Sequence, residues 1–165
     1  MPALTGSFFY QPKEKRIVEG GRPQVAIVME RDVTRHFSRI APKYTTVRTT
    51  DIQPVLLIKE KLKLVTEITA ASLGSGSGRY DLILLQHLKE RLRLLCVDSN
   101  KEMLKQLITY LTTHGAKQFK AIHADVQQMP FYNKSLDCMF AFNSVHLFPI
   151  RAFLIEASRV LKRGG

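Results

Sequence analysis

The chain has 165 residues, 45% of them hydrophobic and 24% charged, which suits one globular domain with a real core and leaves no room for two ordinary ones. No apolar run approaches the roughly 20 residues of a membrane-spanning helix, and the N-terminus lacks a basic and apolar secretion signal, so a cytoplasmic chain without a membrane span is expected. The net charge of +11 divides into about +5 over the first 50 residues and about +6 over the rest, so it forms no basic patch and by itself names no nucleic-acid or membrane partner.

Residues 1–24 mix Gly, Pro and charge without sustained periodicity and read as a flexible leader, ahead of a domain over 25–165. Apolar residues then recur at roughly helical spacing from Val25 to Ala41, where Pro42 closes the stretch. A second helix is predicted from Pro54 to Val65, with proline in its first turn. Ile68 to Leu73 reads as a strand, followed at once by Gly74-Ser75-Gly76-Ser77-Gly78 and then by a helix whose Leu82, Leu85 and Leu88 share a face. Arg93 to Val97 is a second strand ending at Asp98, and Ser99-Asn100-Lys101-Glu102 has the capping-box spacing of a helix that closes near Gly115. Phe119 to Ala124 and Ser135 to Phe142 read as third and fourth strands, and Pro149 to Lys162 as a closing helix. Strands separated by helical runs predict an α/β fold with a parallel sheet and ligands at the carboxyl ends of its strands.

Three features carry chemistry. The glycine run lies between a strand and a helix, where a turn without side chains lets a ligand meet bare backbone beside free helix N–H groups. Asp98 falls 20 residues after Gly78 at a strand end, where a carboxylate can accept both hydroxyls of a ribose. The dinucleotide fingerprint wants its third glycine one position later, where this chain has Arg79, so the spacing argues against a nicotinamide cofactor. Cys96 and Cys138 sit inside apolar runs with no Cys or His at metal-ligand spacing, and read as core thiols rather than metal ligands.

Four segments together resemble the class I S-adenosylmethionine-dependent methyltransferases, specifically the small enzymes similar to those of ubiquinone and menaquinone biosynthesis. These are Ser72 to Gly78, Leu95-Cys96-Val97-Asp98-Ser99, His123-Ala124-Asp125-Val126 through Met129-Pro130-Phe131, and Glu156 to Gly165. The resemblance covers roughly residues 36–165 and implies a Rossmann-like sheet of which the first four strands are present, with N-terminal helices. It implies S-adenosyl-L-methionine as cofactor, held by Ser72, Gly74, Ser75, Gly76, Gly78, Asp98 and Ser99. It also places Asp125 at the adenine amino group, Val126 against the ring, Asn143 near the sulfonium and Tyr44, after a lid helix, within reach of the cofactor. Ser72 departs from the family, which carries an acid there.

The expected reaction is methyl transfer to a small-molecule acceptor, because Asn143-Ser144-Val145-His146 lacks the Asn/Asp-Pro-Pro-aromatic signature of base amino methylation. His146 is the candidate general base, following the fourth strand and able to titrate near neutrality. The alternatives are a catalytically silent cofactor-binding or scaffold protein of the same fold, and an RNA methyltransferase favoured by the charge. The family continues into further strands where this chain ends, so the expectation is a C-terminally shortened domain. Its fourth strand would then be an exposed edge, open to self-association or a partner.

Overall fold

The computed structural model of the protein describes residues 35–40 and 50–165. Residues 35–40 are helical (α1), and α2 spans Gln53–Lys61 with proline in its first turn. Then β1 (Ile68–Leu73), α3 (Arg79–Leu88), β2 (Leu92–Asp98), α4 (Lys101–Thr113), β3 (Phe119–His123), β4 (Cys138–Phe140) and α5 (Ile150–Val160) follow. All strands are parallel, in the order β3-β2-β1-β4.

Alternation along the strands divides the core between two faces. Ile68 and Ala70 of β1 and Leu92, Leu94 and Cys96 of β2 face α2, α3 and α4, where they meet Val55, the α3 leucines, Leu107 and Leu111. Ala71, Leu73 and Val97 face the other way, onto Val126, Met129, Phe131 and Val160. Helix α4 buries Met103, Leu104, Leu107 and Leu111, a stripe at helical spacing.

The elements expected from residue 54 onward are found, with three corrections among the described residues. The cap of α4 is Asn100 rather than Ser99: the Asn100 side chain accepts from Glu102 N and Met103 N, while Ser99 is exposed. The fourth strand is far shorter than 135–142, because its start is used differently. Ser135 N and Leu136 N donate to Val160 O, and the Asp137 carboxylate accepts from Thr69 N at 2.8 Å in place of a ladder bond. Asn143 ends it with a φ of +54°. Finally, the expected bare edge applies only to Cys138–Phe140, since Leu161 bridges Leu136 in parallel and Lys162 N donates to Leu136 O at 2.9 Å. Cys96 is buried as expected, while Cys138 is only half-buried.

Candidate functional site

Strands β1, β2 and β3 succeed one another outward, whereas β4 lies on the other side of β1. This is the topological switch point, where loops leave the sheet in opposite directions and a crevice opens. The glycine run leaves β1 there. Ser75 N donates to Val97 O, Ser75 Oγ to Ser72 O at 2.9 Å, and Gly78 N to Ser75 O, so the loop is folded onto the strand ends by its own hydrogen bonds.

Two glycines explain its shape. Gly74 has φ +62°, and a Cβ there would stand 2.6 Å from the Ser144 Cβ, so the loops after β1 and β4 can close on each other only with glycine at 74. Ser144 is buried and its Oγ donates to Leu73 O at 2.8 Å, fastening the two loops together. Gly76 has φ +56° and nothing within 4 Å of the position a Cβ would take. Its open side is free space beside bare backbone.

Asp98 ends β2 next to this loop. Its Oδ2 accepts from Gly76 N and its Oδ1 from Asn100 N, both at 2.8 Å, so one carboxylate ties the loop to the start of α4. Each oxygen keeps a second lone pair for a ligand. Burial raises its pKa above the usual carboxylate value, opposed by those two N–H groups and by His123. His123 itself is exposed, with Nε2 2.9 Å from Ser99 O. A segment of α1 reaches the same place, since Asn100 Nδ2 donates to Ser38 Oγ at 2.9 Å.

Sequence reasoning missed Asp81. It lies in the first turn of α3, is 1% exposed, and has an Oδ1 that accepts no hydrogen bond. Desolvation lifts its pKa to about 6, against the smaller pull of the Ser72 hydroxyl, its own backbone and the Cys96 thiol. Ser77, one helical turn earlier in the loop, is also buried with an unpartnered Oγ. The signal was present in the sequence: Asp81 stands on the stripe of Leu85 and Leu88, where a charge has no business unless it is used.

On the other rim, Phe142 stacks on Tyr80 with ring centroids 4.4 Å apart. The left-handed turn at Asn143 and a single 3-10 turn over Val145–Leu147 then lead into α5.

A family profile described as a methyltransferase domain matches residues 70–165, more than half of the chain. The chain belongs to that family. Among curated proteins it is similar to the malonyl-[acyl-carrier protein] O-methyltransferase of Herminiimonas arsenicoxydans, 27% identical over 81% of this chain and 50% of that protein. It is also similar to the demethylmenaquinone methyltransferase of Protochlamydia amoebophila, 26% identical over 87% and 60%. The chain thus spans about half the length of the curated relatives it matches. A crystal structure of an S-adenosylmethionine-dependent methyltransferase from Aquifex aeolicus superposes with a TM-score of 0.56, covering 69% of each chain at 20% identity. By family this is a methyltransferase domain, and it shares its fold with S-adenosylmethionine-dependent methyltransferases.

The methyltransferase cleft brings together some of the expected residues and not others. Gly74, Ser75, Gly76, Gly78, Asp98 and Asn143 stand around the switch point, with Ser99 exposed just beyond β2. Ser72 is 2% exposed and faces α3 beside Asp81, so it reaches a ligand only through the loop. Asp125 is exposed past β3, its oxygens accepting from Gln127 N and Nε2, and Val126 beside it is buried in the second core. His146 is exposed on the 3-10 turn. Tyr44, the leader over 1–24 and most of the first expected helix lie outside the described residues. No described helix is long and apolar enough to cross a membrane. The donor set fits an S-adenosylmethionine ligand: bare loop backbone with open space at Gly76, and a strand-end carboxylate with lone pairs to spare.

Proposed function

We propose that the chain binds S-adenosylmethionine across the carboxyl ends of β1, β2 and β4 and serves methyl transfer to a small-molecule acceptor. The observation that carries this reading is the Asp98 carboxylate bound to Gly76 N at 2.8 Å, with an empty flank on the glycine. In this reading the loop from Gly74 to Gly78, with Ser75, packs against the methionine moiety. Asp98 takes the ribose hydroxyls through its free lone pairs, with Ser99 alongside. Asp125 takes the adenine amino group while Val126 backs the ring, and Asn143, held in a left-handed turn, lies nearest the sulfonium.

The cofactor supplies a methyl group made electrophilic by its sulfonium. What the protein must add is in-line placement of the acceptor and exclusion of water. The stacked Tyr80 and Phe142 give that side of the crevice an apolar wall. Where the acceptor has to lose a proton, His146 on the turn after β4 is the base this reading assigns. The similarity to proteins named for a carrier-bound malonyl group and for demethylmenaquinone supports a non-nucleic-acid acceptor.

Calorimetric titration with S-adenosylhomocysteine and S-adenosylmethionine tests the cofactor, and micromolar binding of at least the former is expected. Label transfer from methyl-labelled cofactor, compared between a panel of small quinols, thiols and carboxylic acids and a pool of RNA, tests the acceptor class. Labelling of RNA alone would refute the small-molecule assignment.

A further inference from the structure

Asp81 is a buried carboxylate with one oxygen left unpartnered. It packs between α3 and the sheet, with the Ser72 hydroxyl on it from β1 and the Cys96 thiol on it from β2 in register with Ser72, while the Ser75 hydroxyl of the loop lies on Cys96 in turn. Its nearest ionised neighbour is Asp98, a like charge. Leu107 and Leu111 of α4 pack over Gly78, three residues before Asp81. No described lysine, arginine or histidine forms an ion pair with it. Buried carboxylates are ordinarily paired or hydrogen-bonded on both oxygens, because desolvating the charge is otherwise too costly. This one has an orphan oxygen, as does Ser77 in the strand-to-helix loop one turn earlier, and Asp81 sits in the first helical turn after that loop.

We propose that Asp81 is a positioning residue for the cofactor, its carboxylate supplying from beneath the glycine loop the negative charge that complements the cationic amino-acid and sulfonium end of S-adenosylmethionine. This deepens the reading of the cleft given above and rests on it. Two carboxylates then bracket the loop. Asp98 holds its outer edge by hydrogen bond, and Asp81 acts through the loop and Ser72 without touching solvent. A bound cation offsets the repulsion between them and favours ionised Asp81, so binding is coupled to release of a proton from it.

The sign follows from the raised pKa. Below about 6 the carboxyl is protonated in the ligand-free protein and its complementing charge is absent; above it the charge is present. Affinity for S-adenosylmethionine therefore falls as the pH drops from 7.5 through 6. Stability runs the other way, because a carboxyl whose folded pKa exceeds its unfolded one favours the fold at low pH and loses that contribution as pH rises. Replacing it by the neutral isostere removes the loss. Asp81→Asn should consequently leave the melting temperature at pH 7.5 equal or higher while weakening binding, a split that a structural side chain would not produce.

The experiment is calorimetric titration of S-adenosylmethionine and S-adenosylhomocysteine into the full chain, in two buffers of different ionisation enthalpy, at pH 6 and 7.5. For the unaltered protein, release of about half a proton is expected on binding S-adenosylmethionine at pH 6. Asp81→Asn should bind it about tenfold more weakly at pH 7.5 and lose that proton release, with a smaller deficit toward S-adenosylhomocysteine, which lacks the sulfonium charge. The exchange Ser72→Asp with Asp81→Ser moves the charge across the same contact and should recover most of the affinity. Equal binding and equal proton release by the protein and Asp81→Asn would overturn the inference and leave the cofactor reading standing. Absence of any binding by the unaltered protein would overturn the cofactor reading, and this inference with it. Should Asp81→Asn fail to fold, missing proton release from the unaltered protein at pH 6 would still refute the inference.

Discussion

Two buried acids on opposite faces of the sheet have had opposite fates. Glu156, 7% exposed on α5, accepts from Met129 N at 2.6 Å and from both Nε and Nη2 of Arg159, which also donates to the carbonyls of Met129 and Phe131 and to Asn133. Asp81 on α3 has two weak neighbours and an oxygen with none. The first is a finished structural device: it staples the irregular segment after β3 onto α5, where no ladder could hold it. The second leaves a charge unanswered beneath the one loop that a ligand must approach. Complete satisfaction marks what the fold requires, and the incomplete kind marks what it keeps for binding.

Breaking the finished device should have the largest effect. Arg159→Ala leaves Glu156 buried without its partner and frees two carbonyls, so a loss of about 3–5 kcal/mol is expected in urea unfolding, with the m-value little changed. If the chain survives, its affinity for S-adenosylhomocysteine should be near that of the unaltered protein, because Arg159 is on the far face. A loss below about 1 kcal/mol would mean that this pair does not hold the segment, and that the contrast with Asp81 is without content.

On the site face the effects should appear in binding rather than in stability. Gly76→Val puts a branched side chain into the open flank and into a left-handed backbone, so S-adenosylhomocysteine affinity should fall at least about a hundredfold, with only about 1–2 kcal/mol of unfolding free energy lost to strain. Normal binding by that variant would place the ligand elsewhere. Asp98→Ala should cost about tenfold in affinity. The folded state should lose little, since burial holds Asp98 above its ordinary pKa and its removal relieves that desolvation as well as deleting two backbone contacts. An unchanged dissociation constant would remove Asp98 from the site.

Much of this was legible in the sequence, and the gaps have physical reasons. Strand β1 and helix α3 declare themselves because a short β-compatible run, a glycine turn and a leucine stripe follow one another without ambiguity. Strand β4 is shorter than its composition suggests because Ser135 N and Leu136 N donate to Val160 O and the Asp137 side chain accepts from Thr69 N, partners that periodicity cannot foresee. The glycine loop and Asp98 were visible from spacing alone. Asp81 and Glu156 were not, although each interrupts an apolar helix stripe. A charge at such a position says that a buried polar contact exists without saying with what, and only the packed structure separates the satisfied acid from the unsatisfied one.

The smallest effect should come from the start of the helix that follows Asp98. Asn100 caps α4, accepting from Glu102 N and Met103 N, and its own N–H is held by Asp98. Asn100→Ala removes a cap and should lower stability by about 1 kcal/mol in urea unfolding. Asn100→Asp keeps the cap and adds a charge that the helix N-terminus favours, so by stability alone it should be neutral. It also puts a third carboxylate beside Asp98, whose burial already disfavours ionisation. Unfolding free energy at pH 7.5 should therefore separate the two variants by about 1 kcal/mol, with the aspartate the more stable. If instead the aspartate variant is the less stable, repulsion from Asp98 outweighs the cap. The cleft would then already carry all the negative charge it can hold without a cationic ligand, which is the condition that the buried acid beneath the loop requires.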